Sequence, residues 1–253
     1  MKENFIIPQN ILEHIEGTSL YYPCSLRDTL SAVKLFAPYI NDFLFVDKCY
    51  FSGYSLLKIP TPKELPGYRL ISRRRKGPVR AEMTEKYDEV KKEYYLDLEP
   101  CIVTETYIHE QTGKTIKFRL KRGFGEYTLR NSENKYGVFY YRGDTVNEGG
   151  SGITWLNKKR LSNICSKLID GGLIVTDGSN RGRRKDKHNQ FWKYHFPRKN
   201  DILPNPEEMI SSMEPFKDKA GRTFTCVGYA GERYGPTFIW QVFQERKEDE
   251  VKK

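Results

Sequence analysis

Three apolar runs of this chain end in or just before an aspartate: "NDFLFVD" at Asp47, "YGVFYYRGD" at Asp144 and "GGLIVTD" at Asp177. A carboxylate at a strand end can hold hydroxyls, accept a proton or ligate a metal. In open α/β sheets, ligands bind beyond the carboxyl ends of the strands. The residues expected at such an edge are Cys24, Ser25, Asp28, Asp47, Arg142, Gly143, Asp144, Asp177, Ser179 and Asn180. Four aspartates and one arginine would converge there. Each aspartate alone also reads as an ordinary loop or cap residue. The stretch "NEGGSG" (Asn147 to Gly152) can bring backbone close to a ligand or form a flexible connection. Glu148 within it is a candidate general base or cofactor anchor.

A second chemistry is electrostatic. The net charge is +10, and the cations cluster. One cluster is "SRRRKG", with Arg73, Arg74 and Arg75. The other is "NRGRRKDKHNQFWKYHFPRK", with Arg181, Arg183, Arg184, Lys185 and Trp192. A run of charge commonly forms a solvated loop. Aromatics alternating with cations also suit phosphate contacts combined with base stacking, so nucleic acid is a candidate partner. All seven of these cations are expected at the surface, because burying unpaired charge is too costly, and are expected to form one positive face.

With 38% hydrophobic and 30% charged residues, the chain is expected to be soluble, cytoplasmic and without a membrane partner. The five cysteines show no CxxC spacing, so no metal site is expected and free thiols are.

The elements that must position these groups follow from the apolar pattern. "SLYYPCS" reads as a strand, "RDTLSAVKLFAP" as a helix and "NDFLFVDKCYF" as a covered strand: a βαβ opening. "IPTPKELPGYRLISRRRKGP" reads as a surface excursion and "MTEKYDEVKKEYYL" as an exposed helix. "CIVTETYIHEQTGKTIKFRLKR" reads as a hairpin turning at Gln111 to Lys114. "YGVFYYRGD", "ITWLNKKRLSNICSKLID" and "GGLIVTDGS" repeat strand, helix, strand. "TFTCVGYAGERYGPTFIWQVFQ" closes the chain as a hairpin, with Trp155 and Trp240 expected in the core.

This order resembles the Rossmann-like class I methyltransferases, through "LIDGGLIVTDGS", the terminal hairpin and Asp47. The resemblance covers Ser19 to Asp47 and Tyr136 to Gln244. It implies an α/β fold: a mostly parallel central sheet flanked by helices, with a C-terminal antiparallel hairpin. Residues 1–253 would then form one domain with an insertion at about 52–130. It also implies S-adenosylmethionine held by Cys24, Ser25, Asp28 and Asp47, with Asp47 on the ribose hydroxyls. Methyl transfer to nucleic acid or a nucleotide-containing substrate, with Asp144 and Glu148 catalytic, is the function expected. The first turn, "YYPCSLRD", has no glycine, which favours the alternative of a catalytically inactive nucleic-acid or nucleotide binding module. A third reading is nucleotide chemistry with Asp144 and Asp177 on a metal.

Overall fold

The structure is a computed structural model that describes residues 5–51, 58–78, 84–88, 93–97, 99–142, 155–177, 205–232 and 236–244; of residues 84–88, 93–97 and Lys158 the backbone alone is described. The chain begins with β1 (Phe5–Ile6), α1 (Gln9–His14), β2 (Ser19–Pro23), α2 (Thr29–Phe36), β3 (Asp42–Asp47) and β4 (Tyr68–Lys76). Then come β5 (Thr84–Asp88), β6 (Glu93–Asp97), β7 (Cys101–His109), β8 (Thr115–Arg122) and α3 (Gly125–Arg130). The remainder is β9 (Tyr136–Tyr141), α4 (Lys158–Lys167), β10 (Leu168–Thr176), α5 (Pro206–Ser211), β11 (Phe216–Lys217), β12 (Thr223–Glu232) and β13 (Pro236–Phe243). Its contacts divide it into two compact units, Gly17–Glu133 and the joined segments Met1–Glu16 and Asn134–Lys253.

The expected helix-flanked parallel sheet is not what forms. The described helices span only six to ten residues. The strands pair in parallel at β2/β3, β3/β8 and β9/β10, and antiparallel at β1/β12, β4/β7, β5/β6, β7/β8, β10/β13, β11/β12 and β12/β13. The protein is mostly β, with mixed pairing.

In the Gly17–Glu133 unit the strand order is β2-β3-β8-β7-β4. The βαβ opening forms at the expected place, with β2 and β3 parallel across α2. The reason is visible in burial: Phe43, Leu44, Phe45 and Val46 are all buried, as a strand covered on both faces requires. The 101–122 hairpin also forms, turning at Gly113, whose φ of +68° suits glycine. Two segments differ from expectation. The described residues of "MTEKYDEVKKEYYL" are not helical; 84–88 and 93–96 belong to the β5/β6 antiparallel pair. The arginine-rich excursion contains β4, a nine-residue strand paired antiparallel to β7.

In the other unit the order is β1-β12-β13-β10-β9, with β11 beside β12. The expected helix before the glycine pair is shorter than its apolar pattern, and β10 starts directly at Leu168. Gly171 and Gly172 lie inside β10, at a register shift between Leu168 and Leu173. Gly171 has φ +71°, and a Cβ there would stand 2.5 Å from His14 Nε2. That ring N–H donates to the Asp170 carbonyl (2.8 Å). The glycine pair is therefore a packing and bulge device. Trp155 is buried against Phe139 and Tyr141, and Trp240 is buried beside Phe216.

The same unit buries two thiols, Cys165 and Cys226, at 1% and 7% exposure. Burial pushes both up to about 12, from an ordinary value near 9.0. Between those values the unfolded chain releases protons that the folded chain keeps. Stability is therefore expected to fall as pH rises through this window, by up to about 1.4 kcal/mol per pH unit for each thiol. Denaturant melts of a Cys165→Ala, Cys226→Ala variant should show a shallower alkaline decline. A decline as steep as that of the parent would mean the thiols do not carry it.

Candidate functional site

The turn after β2 and the end of β3 lie together in the Gly17–Glu133 unit. Asp47 closes β3, is 8% exposed, and accepts from the backbone N–H of Leu26 (3.1 Å) and Cys49 (2.8 Å). Cys24 and Leu26 have φ of +53° and +36°, and Phe51 beyond β3 has +58°. Such left-handed angles are costly for residues with a Cβ and need a surrounding structure that fixes them. That structure is present. Ser25 and Tyr50 are buried and share a 2.7 Å hydroxyl pair, and the Tyr50 hydroxyl lies 3.0 Å from the Leu26 carbonyl. Tyr22 donates to Asp28 (2.8 Å). Burial, with Asp47 next in effect, raises Tyr50 well above the usual phenol range, so it stays a neutral donor.

Below this turn, fully buried Arg122 spends its guanidinium on three carbonyls: Glu99 (2.7 Å), Phe51 (3.0 Å) and Pro78 (3.0 Å). Cys49 is held as a neutral thiol, because burial and then Asp47 raise it.

The Asp47 carboxylate, meant for ribose hydroxyls, anchors Leu26 and Cys49 from within the turn. The turn reaches glycine-like angles while carrying the side chains of Cys24 and Leu26.

In the other unit, Arg142 and Asp177 end the parallel strands β9 and β10, and Thr237 stands one step beyond the β10/β13 register. All three are buried. The Arg142 guanidinium lies over the Tyr140 ring at 5.9 Å, with Nη1 3.4 Å from the Ala230 carbonyl. Gly143, Asp144, Glu148, Ser179 and Asn180 lie outside the described residues, as do Arg181, Arg183, Arg184, Lys185 and Trp192. Among the described residues no cluster of His, Cys, Asp and Glu could hold a metal ion, and no helix is long and apolar enough to cross a membrane.

The third arrangement is a surface. Register places three rows across the sheet of the Gly17–Glu133 unit: Asp42–Lys117–Thr106–Ser72, Leu44–Arg119–Thr104–Arg74 and Val46–Lys121–Ile102–Lys76. Over β8, β7 and β4 this face presents Lys117, Arg119, Lys121, Arg74 and Lys76, with Thr104, Thr106, Ser72 and Ile102 between them. None of these nine is buried. The opposite face carries Phe118, Leu120, Val103, Cys101 and Tyr107, all buried. Of the five cations, Arg119 is matched by Asp42 at 2.7 Å. Burial, and then Arg119 beside it, lowers Lys121, so the positive charges there crowd one another.

Arg73, Arg74 and Arg75 are exposed on β4, as expected, but adjacent residues of a strand alternate faces, so the three do not form the expected single positive face. Arg74 alone of the three belongs to this face. Arg73 and Arg75 pair with Glu105 and Val103, and Arg73 reaches the Glu105 carboxylate at 3.4 Å. Lys117, Arg119 and Lys121 escape a search for charge clusters. Their signal is alternation: in "IKFRLK" (116–121) apolar residues and cations take turns.

The chain matches no family model, and no curated protein is similar to it.

Proposed function

We propose that this protein is a nucleic-acid binding module and that the open face of β8, β7 and β4 is its interface. The supporting observation is the five-cation face, in whose three described rows Asp42 is the one acidic residue. Cations at alternate positions on strands about 4.8 Å apart form a grid that can follow a phosphate backbone, and the threonine and serine hydroxyls between them add donors. The expectation of methyl transfer rested on a helix-flanked parallel sheet, which is not the sheet that forms.

The test is fluorescence anisotropy of a labelled oligonucleotide at several salt concentrations. Binding should weaken linearly in log–log form, with a slope near −0.7 to −0.9 per phosphate contacted, or about −3 to −4 for four or five cations. Binding that ignores salt, or no binding at low salt, would exclude nucleic acid as the ligand of this face.

A further inference from the structure

Two exposed aromatic side chains adjoin the open face. We infer that the ligand strand is unpaired and that Tyr127 and Phe124 stack on its bases; this rests on the reading of that face as a nucleic-acid interface.

Helix α3 leaves the end of β8, and Phe124 stands two residues after Arg122. Tyr21 belongs to the same row as Leu44 and Arg119, and its hydroxyl donates to the Gly125 carbonyl (2.6 Å). The start of α3 therefore sits on the cationic side of the sheet, over β2 and β3. Thr128 and Leu129 point into the protein and are buried. Tyr127 points away and is 63% exposed, the most of any large hydrophobic side chain among the described residues; Phe124 is 38% exposed. Arg130 lies over the Tyr127 ring at 5.9 Å, which places a cation beside the exposed aromatic.

A single exposed aromatic is unremarkable. Two beside a grid of cations match the two needs of an unpaired strand: phosphates met by charge and base faces met by rings. A duplex hides its base faces. Three strands also span about 10 Å before side chains are added, too broad to enter a major groove about 12 Å wide.

The test compares an oligothymidylate with an abasic phosphodeoxyribose strand of equal length and charge. Anisotropy is read for the unmodified protein, Tyr127→Ala and Tyr127→Phe. The thymidylate strand should bind roughly tenfold tighter than the abasic one. Tyr127→Ala should remove most of that gap without changing the salt slope, and Tyr127→Phe should keep it. Phe124→Ala should act in the same direction. If the unmodified protein binds both strands equally and with strong salt dependence, stacking is overturned while the cationic interface stands. Tighter binding of a duplex of the same length also overturns it. If neither strand binds, the interface itself fails and this inference fails with it.

Discussion

Arg122→Ala is expected to destabilise the Gly17–Glu133 unit by about 3–5 kcal/mol, enough to unfold a marginally stable unit. The guanidinium is fully buried and donates to Glu99, Phe51 and Pro78. Truncation strips a charge-assisted partner from three backbone carbonyls at once and leaves a void the size of an arginine. Each abandoned acceptor costs about 1–3 kcal/mol where water cannot reach it. Partial solvation of the relaxed site keeps the total below their sum. Arg122→Lys retains the charge but cannot aim three donors along three directions, so an intermediate loss is expected. Urea denaturation measures both. A loss under about 1 kcal/mol for alanine would mean the three segments hold their places without this residue.

The second large effect is on binding. A variant with Arg74→Ala, Lys117→Ala and Lys121→Ala removes one cation from β4 and two from β8 on the open face. Oligonucleotide affinity should fall roughly a hundredfold at 0.15 M salt, with the exposed contacts discounted for screening. The salt slope should shrink by about two, at about 0.7 per lost contact. Arg119 is left in place because its bond to Asp42 is part of the fold. Exposed Lys34 and Lys63 lie off this face and serve as controls for loss of positive charge. Their alanine variants should bind almost normally. Equal losses in the controls would show that net charge alone, rather than this face, attracts the ligand.

Local pattern made part of this fold legible. Phe43 to Val46 form a continuous apolar run, and the helical spacing before Pro38 precedes it, so the β2-α2-β3 opening could be read directly. The hairpin of β7 and β8 announced itself through alternation and Gly113. Pairing partners were not legible, because nothing in "TIKFRLKR" states that it will lie parallel to β3 after an excursion of nearly seventy residues (Lys48 to Lys114). The Rossmann-like resemblance covers Ser19 to Asp47 and Tyr136 to Gln244, so it supplies no partner for this strand.

β4 was missed for a physical reason. Neither of its faces is buried, so no apolar alternation marks it, and a run of arginines on a strand looks like a run of arginines on a loop. The segment Met83 to Leu96 was misread because glutamate and lysine favour helices, whereas Tyr87, Tyr94 and Tyr95 favour the hairpin that forms. At the candidate sites, proximity was partly legible. Asp47 does lie beside the Cys24 to Asp28 turn. That its carboxylate accepts from Leu26 and Cys49 was not, because sequence shows a charge without showing what it bonds.

Strand β4 bears on how the protein behaves in concentrated solution. Among the described residues it ends the strand order and pairs only with β7, and it displays Leu70 and Ile71 at 39% and 48% exposure. An open edge of that kind invites a second copy to add its own. Arg69, Arg73, Arg74, Arg75 and Lys76 make each such approach a meeting of like charges. The repulsion is electrostatic and hence conditional: it is strong in dilute buffer and fades as the Debye length shortens from about 10 Å at 0.1 M salt to about 3 Å at 1 M. The salt that loosens the protein's hold on a polyanion therefore also removes its guard against sticking to itself.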